Sequence, residues 1–108
     1  QLIRETFAGR GSRMPTFTIV LDYRGGTYVS QVRARSAVAA VAAWARGLGE
    51  DGVPFIGPAT AAQIATDLQD SDLVPLSGVV SVWATSFIAR GKFALLNVIQ
   101  TEERRSAR

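Results

Sequence analysis

Three aspartates, Asp67, Asp70 and Asp72, are spaced D-x-x-D-x-D, and three arginines, Arg24, Arg33 and Arg35, surround a segment with a glycine pair. These are the groupings whose residue types could do chemistry. The aspartates fall where a helix is expected to end, and a helix C-terminus disfavours negative charge. Carboxylates in such a place can serve a divalent cation or a basic partner. The spacing lacks the glycine and closing glutamate of a calcium loop. Asp70 and Asp72 equally suit turns, where aspartate bonds nearby backbone N–H groups, so no metal site is expected. The arginines, interleaved with Gln31, would form a basic strand face able to meet phosphates or an acidic protein. A solvated sheet face is the simpler reading.

The usual equipment of catalysis is missing. The chain has no histidine and no cysteine, so the common general base, the thiol nucleophile and the thiolate metal ligands are absent. Its serines have no histidine to activate them, and Lys92 falls in an expected turn. No glycine spacing matches a phosphate cradle. Paired carboxylates leave a small hydrolase as a third-ranked reading. The chain is expected not to be an enzyme and to need no cofactor.

Bulk properties narrow the class. A chain of 108 residues with 47% hydrophobic content suits one packed domain. No apolar run approaches the ~20 residues needed to cross a bilayer, and no signal peptide is evident. Without cysteines there is no disulfide framework, and a soluble cytoplasmic protein is expected. Residues 1–13 read as a disordered extension before Met14, residues 14–101 as a single α+β domain, and residues 102–108 as a frayed charged tail. The net charge is +3. Between Arg46 and Arg90 there is no lysine or arginine, while Glu50, Asp51, Asp67, Asp70 and Asp72 all lie there. Such asymmetry can give a small body two poles.

The elements that would position these groups can be read along the chain. Thr16–Ala34 reads as a β-hairpin turning on Gly25-Gly26, which accept positive φ. That register opposes Tyr23 to Tyr28, Ile19 to Val32 and Phe17 to Ala34, and it gathers the apolar residues on one face. Ser36 is an expected N-cap for an alanine-rich helix ending at Gly47 or Gly49. Its inward face would hold Ala37, Val38, Val41, Ala42, Trp44, Ala45 and Leu48. Residues 50–58, EDGVPFIGP, form a loop with part tucked inward. Thr60 and Gln63 resemble a capping box for a second helix reaching about Gln69. Leu73–Leu76 reads as a short extended stretch. Val82–Ile99 reads as a second hairpin turning on Arg90-Gly91. The expected fold is α+β in the order β-β-α-α-β-β, with an antiparallel sheet of about four strands and two helices on one face.

The segment Thr16–Leu48, a hairpin with a glycine turn feeding an alanine-rich helix, resembles the pattern of HicB-like antitoxins. It departs from that pattern where Ala34-Arg35-Ser36 runs directly into the helix in place of a proline-glycine-cysteine stretch. No site residue is carried over.

The second hairpin is apolar on both faces, unlike the first. With helices on one side only, each strand should alternate. Three covers would account for a surplus apolar face: the N-terminal arm over a central hairpin, a second copy, or another protein. For the latter two, Trp83, Thr85, Phe87, Leu96 and Val98 are the candidate interface. The expected function is a small protein-binding domain, antitoxin- or immunity-like, acting as a homodimer or with a protein partner and without a membrane. Nucleic-acid binding through Arg24, Arg33 and Arg35 is the alternative.

Overall fold

The computed structural model describes residues 14–69 and 73–101, together with the backbone of residues 5 and 6. A two-residue strand β1 (Glu5–Thr6) precedes the hairpin β2 (Thr16–Tyr23) and β3 (Gly26–Arg33). Then come helices α1 (Ala37–Gly47) and α2 (Pro58–Gln69), a two-residue strand β4 (Val74–Pro75), and the hairpin β5 (Val82–Ala89) and β6 (Lys92–Thr101). They make a six-stranded sheet in the order β1-β3-β2-β6-β5-β4. All pairings are antiparallel except β1 with β3. The α+β class, the β-β-α-α-β-β order and the single helical layer are as the sequence implies, with two short edge strands added. Within the expected N-terminal extension, Glu5–Thr6 form a strand; the rest of residues 1–13 and the expected tail 102–108 lie outside the described residues.

Both hairpins turn on an Arg-Gly pair. Arg24 and Gly25 have φ of 51° and 80°, and Arg90 and Gly91 have 49° and 77°. Positive φ at both central residues is the signature of the type I′ turn, whose twist matches that of the strands. The first turn is therefore Arg24-Gly25 and not Gly25-Gly26. Ile19 opposes Ser30 and Leu21 opposes Tyr28. Gly26 belongs to β3, and the Tyr28 ring covers it: a Cβ at position 26 would lie 2.5 Å from Tyr28 Oη. The second hairpin has the expected register, with Val82 opposite Ile99 and Ile88 opposite Phe93.

Strands β2 and β6 join the two hairpins at the centre, pairing Thr16 with Thr101 and Tyr23 with Ala94. Both Arg-Gly turns consequently stand side by side at one end of the sheet.

The helices cover the face bearing Phe17, Ile19, Leu21, Tyr23, Val32, Phe87, Leu96 and Val98, all buried. Ser36 caps α1 as expected, its Oγ accepting from Ala39 N–H at 3.1 Å. The inward face of α1 is Ala37, Ala40, Val41, Trp44 and Ala45; Val38 is outside it and exposed. The alanines let the helix approach the sheet closely, and Trp44 reaches the Phe87 ring at 6.3 Å. Helix α2 begins at Pro58, two residues before the expected Thr60 cap. Proline suits the first helical position because its missing N–H has no intrahelical partner there, and Ala61 N–H closes the first turn on Gly57 C=O. The loop before it buries Val53 and Ile56. Gly49 is needed where α1 hands over to α2, since a Cβ there would lie 2.9 Å from Pro58 Cα. No helix among the described residues is long and apolar enough to cross a membrane.

Candidate interaction surface

The helices cover one face of the sheet and leave the other bare among the described residues. Side chains alternate along a strand, so the bare face carries Thr18, Val20 and Asp22 of β2, Val29, Gln31 and Arg33 of β3, Val82, Ala84, Ser86 and Ile88 of β5, and Phe93, Leu95, Asn97 and Ile99 of β6. The β2–β3 part is polar: Gln31 Nε2 donates to Thr18 Oγ1 at 3.2 Å, and Thr27 Oγ1 donates to Asp22 Oδ1 at 2.8 Å. The β5–β6 part is apolar. Ile88 and Phe93 oppose each other directly across the hairpin and are 57% and 62% exposed.

This placement corrects the expected interface. Phe87, Leu96 and Val98 are 6%, 0% and 0% exposed, because they face the helices and form the core of the domain. Trp83 is half-buried on the same side, with its ring 6.1 Å from Phe17. Thr85 is half-buried and lines a hollow of about 310 Å³ among Val41, Ala45, Leu68 and Leu73, with Arg46 also in the lining. Hydrophobic alternation in β5 and β6 showed two apolar faces but not which one the helices take.

The expected basic face is also divided. Arg24 is in the turn at one end of β3 and Arg33 at the other, roughly 23 Å apart at the usual rise per strand residue. Arg35 follows Arg33 and is exposed. Arg24 instead stands beside Arg90, donating from its guanidinium (Nη2) to Arg90 C=O at 3.3 Å. Its Nε donates to Tyr23 Oη at 3.2 Å, and its guanidinium lies 4.0 Å over the Phe55 ring. Tyr23 Oη in turn donates to Ala89 C=O at 2.9 Å. One arginine thus ties together both turns and the loop carrying Phe55, whose φ of 70° is unusual for a bulky residue. With the exposed Arg90 and Lys92, this end of the sheet holds three cations next to the Ile88–Phe93 pair. The signal missed in the sequence is the repeated Arg-Gly: two such turns on neighbouring strands bring their arginines together.

The tyrosine contact is testable. Tyr23→Phe removes the hydroxyl bond to the buried Ala89 carbonyl and the acceptor of Arg24 Nε. Stability should fall by about 1–2 kcal/mol in urea unfolding, and Arg24→Ala should produce part of the same loss.

Asp67 is exposed on α2, and Asp70 and Asp72 lie outside the described residues. Among the described residues no cluster of three acidic or imidazole groups could hold a metal ion. Comparison with protein-family models, curated proteins and solved structures found no match for this chain.

Proposed function

We propose that the protein is a small non-enzymatic binding domain that docks a partner protein on the bare face of its C-terminal hairpin. The observation that carries this reading is the Ile88–Phe93 pair, more than half exposed on a regular strand pair and bordered by Arg90 and Lys92. Large apolar side chains on a rigid sheet bury well against a partner and lose little entropy in doing so. The cations beside them favour a partner whose apolar patch is edged with carboxylates, because complementary charge selects the partner and speeds encounter. Small antitoxin- or immunity-type proteins would act in this manner.

Ile88→Asp and Phe93→Asp separate the surface from the core. Each should cost less than about 1 kcal/mol of stability, the worth of a cross-strand pair, and each should abolish retention of the partner in quantitative co-purification. Retention that persists in the variants overturns the docking face. Retention lost steeply with added salt and after nuclease treatment supports nucleic-acid binding by Arg24, Arg90 and Lys92 instead. A concentration-dependent mass in sedimentation, lost in the variants, identifies the partner as a second copy.

A further inference from the structure

Among the described residues, the outer edge of β5 is open along half its length. Strand β4 pairs only with Trp83 and Ala84, and just beyond it Leu76 N–H donates to Val82 C=O at 3.0 Å. Backbone groups alternate sides along an antiparallel strand. Val82, Ala84, Ser86 and Ile88 therefore all direct N–H and C=O away from β6. Val82 and Ala84 meet the β4 segment. Ser86 and Ile88 have no backbone partner among the described residues.

An open edge is a template for another strand, and folded proteins commonly blunt it with prolines, bulges or inward charges. Pro75 blunts β4 in this way. At Ser86–Ile88 the alternation is serine, phenylalanine, isoleucine, with no proline and no charge. A hollow of about 410 Å³ lies at the turn end of this stretch, between α2 and the β5–β6 turn, lined by Thr60, Gln63, Ile64, Asp67, Ile88 and Arg90. It leaves room beside Ile88 for a side chain of an added strand. The cations Arg24, Arg90 and Lys92 stand at the turn end of the edge. A carboxylate is thus favoured at that end.

We propose that the Ser86–Ile88 edge accepts an extended aliphatic peptide segment of the partner protein, which adds as a strand to β5 with an acidic side chain at the Arg90 end. This rests on the protein-binding reading above and specifies how the partner is held. Main-chain hydrogen bonds at the edge would supply affinity, and Ile88 and the turn cations would supply selectivity.

The probe is a capped hexapeptide of alternating glutamate and valine, with the lysine–valine peptide and an N-methylated glutamate–valine peptide as controls. Amide exchange and chemical shifts are followed at Ser86 and Ile88. On the proposal, both amides become protected, and the lysine peptide binds about tenfold more weakly, the loss of one charge-assisted contact. N-methylation removes the peptide's donors and should abolish binding. Ser86→Pro removes an outward N–H that no described residue uses, at an edge position where proline is tolerated. It should weaken binding about tenfold, the equivalent of one hydrogen bond. If Ser86→Pro fails to fold, the N-methylated peptide decides alone. Unprotected Ser86 and Ile88 amides, or equal binding of the N-methylated peptide, overturns the proposal. So does protection of those amides without peptide in a dimer, which would make the occupant a second copy. If the edge fails while Phe93→Asp still releases the partner, the docking face stands without strand addition.

Discussion

Ile19→Asp is expected to leave the protein unfolded in water, while Thr18→Asp, one residue away, should cost about 1 kcal/mol. Ile19 lies on central strand β2, between Ser30 of β3 and Val98 of β6, and is fully buried. An aspartate there would bury a carboxylate without a cation, with only the Ser30 hydroxyl opposite it to donate, and it would vacate the space of the isoleucine. Desolvation of such a group costs several kcal/mol even after relaxation. Against a total stability of about 5–15 kcal/mol, that loss and the cavity together suffice. Thr18 points to the bare face, where its hydroxyl is shared with Gln31 and Thr101, and a carboxylate there keeps access to water. Circular dichroism and urea titration of the two variants check the contrast. Equal losses would mean that β2 presents its other face to the helices.

Trp44→Ala should be the most damaging change of size without charge, at about 3–5 kcal/mol. Trp44 is the largest side chain of the core, 2% exposed, and touches the Phe87 ring across the gap between α1 and β5. The neighbouring alanines of α1 carry only methyl groups, too short to fill the vacated volume, so much of the cavity term should be retained. Trp83 remains as a fluorescent reporter for the unfolding curve. A midpoint that moves with an unchanged slope would show a loss of packing in a folded domain. A loss below about 1 kcal/mol would place Trp44 outside the core.

The fold was legible where local chemistry decides and obscure where packing does. Alternation in Thr16–Tyr23 identified the buried face of β2. That face survives although the turn is one residue earlier, because a turn shift of one residue moves the partner strand by two and keeps parity. Which glycine turns and which lies under Tyr28 was not readable, since a Gly-Gly pair suits the turn better than Arg-Gly on local grounds and the approach of the Tyr28 ring to Gly26 shows only in the folded strand. Ser36 announced α1 correctly because its bond to Ala39 is local. For α2, the Thr60–Gln63 pattern competed with Pro58, and proline fixed the start. The candidate surface was half legible. Two apolar faces on β5–β6 were evident, but the choice of the Leu96–Val98 face for the core depends on helices distant in sequence. Arg24 and Arg90 are likewise brought together only by the β2–β6 pairing.

That central pairing has a kinetic consequence. Each hairpin closes over a tight turn and belongs to the microsecond class of events, about 1–10 μs. The β2–β6 seam instead joins strands from opposite ends of the domain: Thr101 Oγ1 reaches Thr16 C=O at 3.2 Å across a separation of 85 residues. Closing that loop costs roughly 2–3 kcal/mol more chain entropy than closing a hairpin, and it comes before most of the core contacts form. The rate-limiting step of folding is thus assigned to the seam, with both hairpins and α1 able to form ahead of it. Until the seam closes, β2 and β6 each present an unpaired edge and an uncovered row of apolar side chains. The interval before closure is therefore when newly made chains are most prone to pair with one another instead of with themselves.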